Sequence, residues 1–82
     1  PEALRAALRE SAPLARAEPL LRAPLAAGHL ALGEPGAALV WLRRDLASRQ
    51  TDYLWLLTYA DALEQDGQAG MAARVRRHAW QT

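Results

Sequence analysis

Asp61 and Glu64 stand one helical turn apart, the spacing at which two carboxylates can share general acid and base work. That chemistry needs an apolar enclosure to raise one of the two pKa values, and the flanking sequence implies none. His29 and His78 are the only histidines. They lack the paired spacing of a metal motif, and with no cysteine there is no thiolate ligand and no disulfide. Ser11 and Ser48 are the only serines, and neither sits in a nucleophile elbow. The expectation is a non-enzyme: no catalytic residue, no metal and no cofactor.

The remaining charged cluster is Arg74, Arg76, Arg77 and His78. Arginine offers a planar fork for carboxylates, so Arg74, Arg77 and His78 form a secondary basic patch that could grip an acidic partner or polymer. Cations in a last helical turn also complement the helix dipole, worth about 0.3–1 kcal/mol each. Arg43, Arg44 and Arg49 repeat the arrangement earlier in the chain, which favours this structural role. Nucleic acid is not expected, because the formal net charge is only +1 and aromatics are not interleaved with the arginines.

These residues must be carried by helices. Of the 82 residues 51% are hydrophobic, nearly all Ala and Leu, with no Phe and no Ile. Ala, Leu, Arg, Glu and Gln lose little freedom in a helix, so the class is all-α. No stretch approaches the ~18 apolar residues of a spanning helix, so no membrane contact is expected of this segment. Five helices can be read. The first runs from Glu2 to about Glu10 and is stopped by Ser11-Ala12-Pro13. The second spans about Pro19 or Leu21 to Leu32, its start delayed by Pro24. The third covers Pro35 to about Ser48. The fourth runs to Asp66, capped by Thr51 or Asp52, and the fifth spans Ala69 to Trp80.

A shift of 34 residues superposes Gly33 on Gly67, Gly36 on Gly70, Ala26 on Ala60, Ala38 on Ala72, Arg43 on Arg77 and Leu46 on Trp80. Pro35 and Ala37 fall likewise on Pro1 and Ala3. Pro1 thus sits in mid-repeat, which predicts preceding chain. A fixed period of this length marks helix pairs that cannot bury their apolar faces alone and must stack.

The period and its punctuation resemble the tetratricopeptide repeat, whose signature sets a large residue, a small one and an aromatic on its first helix. Leu56, Tyr59, Ala60, Leu63, Gly67, Ala72 and Ala79 match in the second pair, and Leu25, Ala26, Gly33, Ala38 and Leu42 in the first. Arg22, His29 and Arg76 depart from it at apolar positions. The resemblance implies an α-solenoid of antiparallel helix pairs, about two and a half repeats. Residues 1–12 would be the second helix of a truncated repeat, with repeats at 19–50 and 51–82. The run Trp55 to Gly67, with Ala72-Ala73-Arg74 and Arg77-His78, is also similar to the periplasmic repeats of Pel-type exopolysaccharide export proteins. That likeness implies a periplasmic scaffold holding a polysaccharide deacetylase or hydrolase near an outer-membrane exit; a generic cytoplasmic adaptor is the alternative.

Residues two apart on a helix sit about 200° apart, so Leu56, Tyr59, Ala60 and Leu63 face inward. Leu54, Leu57, Thr58, Asp61, Glu64 and Gln65 then lie roughly opposite. The resemblance puts that stripe, with Tyr53, on a concave groove that would bind a basic or amphipathic peptide. A polysaccharide lying on Tyr53 is the second reading, and solvated acids beside packed leucines are the structural one. Exposed repeat ends, Trp80 among them, would favour self-association.

Overall fold

Gly33 and Gly67 take φ values of 73° and 83°, the left-handed conformation that closes a helix with least strain at glycine. The residue after each donates back across the turn: Glu34 N–H to the His29 carbonyl at 2.9 Å, Gln68 N–H to the Leu63 carbonyl at 2.8 Å. One turn chemistry thus closes two antiparallel hairpins, α2 (Arg22–Ala31) with α3 (Pro35–Arg43) and α4 (Tyr53–Gln65) with α5 (Ala69–Trp80). A preceding helix, α1 (Glu2–Ala17), stacks on α2. The computed structural model describes residues 2–82, so the match of Pro1 to Pro35 lies outside them. Among the described residues the fold is five α-helices with short 3-10 turns at Pro19–Leu21 and Leu46–Ser48, and no strand.

Small residues set the helix spacing. Ala26, Ala38, Ala60 and Ala72 are fully buried where the two helices of each hairpin meet, and Leu39, Leu42, Leu56 and Leu63 fill the space they leave. Trp55 and Tyr59 stack at 5.4 Å between centroids and are nearly buried. Asp52 caps α4 by accepting the Trp55 N–H at 3.1 Å.

Two helix ends differ from the sequence expectation. α1 does not stop at Ser11-Ala12-Pro13 but runs through Pro13 to Ala17. A proline inside a helix costs about 3 kcal/mol. Here the extra turn buries Ala15 completely, and Arg22 ties down its end by donating to the carbonyls of Ala15 and Arg16 at 2.7 and 2.8 Å. α3 ends at Arg43 rather than Ser48. Asp45 leaves the helix at φ −114°, ψ 9° and accepts from Arg22 at 2.8 Å. Pro24 falls within the first turn of α2, where its missing N–H has no partner to lose.

Candidate partner-docking site

The start of α2, with the 3-10 turn before it, and the start of α4 leave a cleft of about 290 Å³ between them. Leu20 and Leu54 border it and are 71% and 72% exposed. They occupy equivalent repeat positions, 34 residues apart. Pro19, Ala23, the edge of Trp55 and Thr58 complete the apolar lining. Thr58 commits its hydroxyl to the Leu54 carbonyl at 3.2 Å, so it adds little polarity. On the rim, Arg49 reaches Asp52 at 3.4 Å while Asp52 still caps α4.

The predicted stripe of α4 divides in two. Leu54 and Thr58 line the cleft, whereas Tyr53, 45% exposed in the first turn, is not part of its lining. Leu57 is half-buried and packs against the core, and Gln65 is exposed at the helix end. Asp61 and Glu64 do not form a free acidic end to the groove. Arg76 reaches across from α5 and donates to both, to Asp61 at 2.9 Å. The Glu64 hydrogen bond, and then that of Asp61, raises the Arg76 pKa above its ordinary value. The two acids stay more than half exposed, but Arg76 already pairs with both, so they are not a free site for a basic ligand. Their cation comes from a third position that α4 itself cannot reveal.

Arg74 and Arg77 are exposed and make no ion pair among the described residues. His78 differs from them, since its Nε2 donates to the Gln50 carbonyl at 2.7 Å and ties α5 to the loop before α4. Tyr59, at the aromatic position of the second hairpin, is a core residue.

Two polar constructions were not legible from the chain. Arg22 and Asp45 form a largely buried ion pair joining the end of α1, the start of α2 and the corner after α3. The available signal was the period, because 34 residues later the same positions hold Leu56 and Ala79. His29, likewise at an apolar position, meets Glu34 through Nδ1 at 2.9 Å, and Arg5 donates to the same carboxylate at 2.6 Å. His29 first, and then Arg5, holds the Glu34 carboxyl below its ordinary value. Leu20 was also missed, although its register with Leu54 would have found it.

Among the described residues no three His, Cys, Asp or Glu side chains converge as metal ligands. No described helix is long and apolar enough to cross a membrane. The stacked hairpins, fully buried alanines and repeated glycine closures define a helical repeat protein. A family model described as tetratricopeptide repeat matches residues 1–82, and the chain belongs to that family. No curated protein and no solved structure matches it. Tetratricopeptide repeats generally mediate protein–protein interaction and typically serve as non-catalytic scaffolds.

Proposed function

We propose that the chain recruits a partner protein through the α2–α4 cleft, as a scaffold in exopolysaccharide export. One observation carries the docking reading: two leucines a repeat apart, each more than two-thirds exposed, flank a single cleft of mixed lining, apolar between them with Arg49 and Asp52 at its rim. Folding does not require leucine at either place. Covering such a patch contributes roughly 25 cal/mol per Å² before the costs of association. A protein fits it better than a sugar, because sugar stacking needs open aromatic faces. Trp55 is nearly buried, Arg44 lies over the Trp41 ring at 5.0 Å, and the half-exposed Tyr53 is outside the cleft lining, so the cleft offers no open ring.

The export role and its periplasmic setting rest on the resemblance of the Trp55–Gly67 run alone to repeats of exopolysaccharide export proteins. The partner is then a polysaccharide deacetylase or hydrolase. Capture from periplasmic and cytosolic extracts, with mass-spectrometric identification, tests this with wild type beside Leu20→Glu/Leu54→Glu. The expected result is a polysaccharide-modifying enzyme held by wild type and lost from the helical double variant. A partner retained by the double variant removes the cleft from the reading. Capture from cytosol alone removes the export role, and polysaccharide retention that depends on Tyr53 makes a sugar the ligand.

A further inference from the structure

The 34-residue period places Val75 on Trp41. Trp41 is half-buried and packs against both apolar clusters, one of which contains Leu25 with Ala12 beside it. Val75 stands in the same relation to Tyr59 and Leu46, the counterparts of Leu25 and Ala12. Tyr59 and Leu46 are larger than those counterparts, yet a pocket of about 270 Å³ stays open where the indole of Trp41 has its place in the first hairpin. Leu56, Met71 and Val75 add to its apolar wall. That volume lies at the low end for a small-molecule site and suits a single large side chain.

The rim is cationic. Arg74 lines the pocket and has no ion-pair partner among the described residues. His78, the counterpart of Arg44, is pinned there by its bond to the Gln50 carbonyl. None of the lining residues is shared with the α2–α4 cleft. We propose that this pocket receives an aromatic side chain from a partner protein segment, next to a carboxylate that pairs with Arg74. The ring would take the place that Trp41 fills from within the chain, against the Met71 thioether, a favourable aromatic neighbour. A guanidinium and a carboxylate then form the directional contact at the edge. Aromatic anchors of this kind carry much of the energy of protein interfaces.

Met71 is the only methionine, so its methyl resonance reports on the pocket without ambiguity. The chain is titrated with acetyl-Trp-Glu-amide, acetyl-Trp-Lys-amide and acetyl-Ala-Glu-amide while the Met71 and Val75 methyl signals are followed by NMR. The first probe should give saturable shifts, and each of the others should bind on the order of tenfold more weakly. Val75→Trp fills the pocket from inside, so it should abolish the shifts without lowering Tm. Arg74→Glu, on an exposed side chain, should reverse the preference in favour of the lysine probe. Leu20→Glu/Leu54→Glu should leave probe binding unchanged, which separates this pocket from the cleft. Equal affinity for the glutamate and lysine probes, or binding that survives Val75→Trp, overturns the proposal. If Val75→Trp does not fold, unchanged selectivity in Arg74→Glu overturns it alone.

Discussion

The Arg22 guanidinium donates to the Asp45 carboxylate at 2.8 Å, at the two positions where the second hairpin holds Leu56 and Ala79. The two hairpins therefore solve one packing problem with different chemistry. In the first, the same guanidinium also satisfies the Ala15 and Arg16 carbonyls, so the ion pair fixes how α1 meets α2. Breaking a buried pair by removing one partner typically costs about 3–5 kcal/mol. Arg22→Leu should approach that range, because it strands Asp45 and uncaps α1. The double variant Arg22→Leu/Asp45→Ala restores the second hairpin's chemistry and should lose less than the sum of the single variants. Urea unfolding followed by circular dichroism gives the cycle, and simple additivity would refute the coupling.

Ala60 and Ala72 are fully buried in the α4–α5 hairpin. Ala60→Leu or Ala72→Leu should destabilise by about 1–3 kcal/mol through overpacking. Ala73→Leu, one residue along on an exposed position, should change stability little. Thermal melts of the three variants check this.

Glu34 links α1 to the α2–α3 turn, and its carboxyl titrates below the ordinary value of 4.5 because of the His29 hydrogen bond and then Arg5. A depressed carboxylate pKa contributes stability above the unfolded value and loses it as pH falls through the folded one. The Tm gap between wild type and Glu34→Gln should therefore be constant just above pH 4.5 and shrink below it. A gap that persists into strong acid would contradict this role for the charge.

Trp80 is 72% exposed at the position where Leu46, in the first hairpin, packs against the core. About three repeats are normally needed for an independently stable array. The 82-residue polypeptide should therefore be marginally stable and self-associate as concentration rises. Trp80→Gln should weaken that association, and sedimentation velocity over a wide concentration range measures it. A monomer with a high melting point at every concentration would count against it.

How far the chain could be read depended on how local each signal was. α5 begins and ends where glycine and apolar spacing put it, and the cap of α4 is a single aspartate three residues before the N–H it binds. α1 outruns Pro13, and α3 stops short, because of Arg22, whose partners lie as many as 23 residues away. No window along one helix contains that contact. Asp61 and Glu64 show the same limit at the candidate site. Helix geometry puts them away from the inward stripe, but it cannot show that Arg76 from the neighbouring helix pairs with both. Leu20 escaped because it lies in a 3-10 turn before α2, where the helical spacing expected from Pro19 or Leu21 onward does not apply.

The trio of Asp61, Glu64 and Arg76 has a bearing on design. Arg76 holds the place of Leu42, which is fully buried in the apolar core of the first hairpin. A polymer made by concatenating copies of residues 49–82, one full 34-residue period, would bring each such guanidinium under the leading helix of the next copy. Every seam would then bury a guanidinium in place of leucine, while its two acids take the exposed and half-buried places of Ala27 and Leu30, a desolvation cost that grows with copy number. Concatenating copies of residues 17–50 meets no such obstacle at that position. The two units are alike in outline but not interchangeable as building blocks, and the trio gives the stack a polarity that its helices alone do not show.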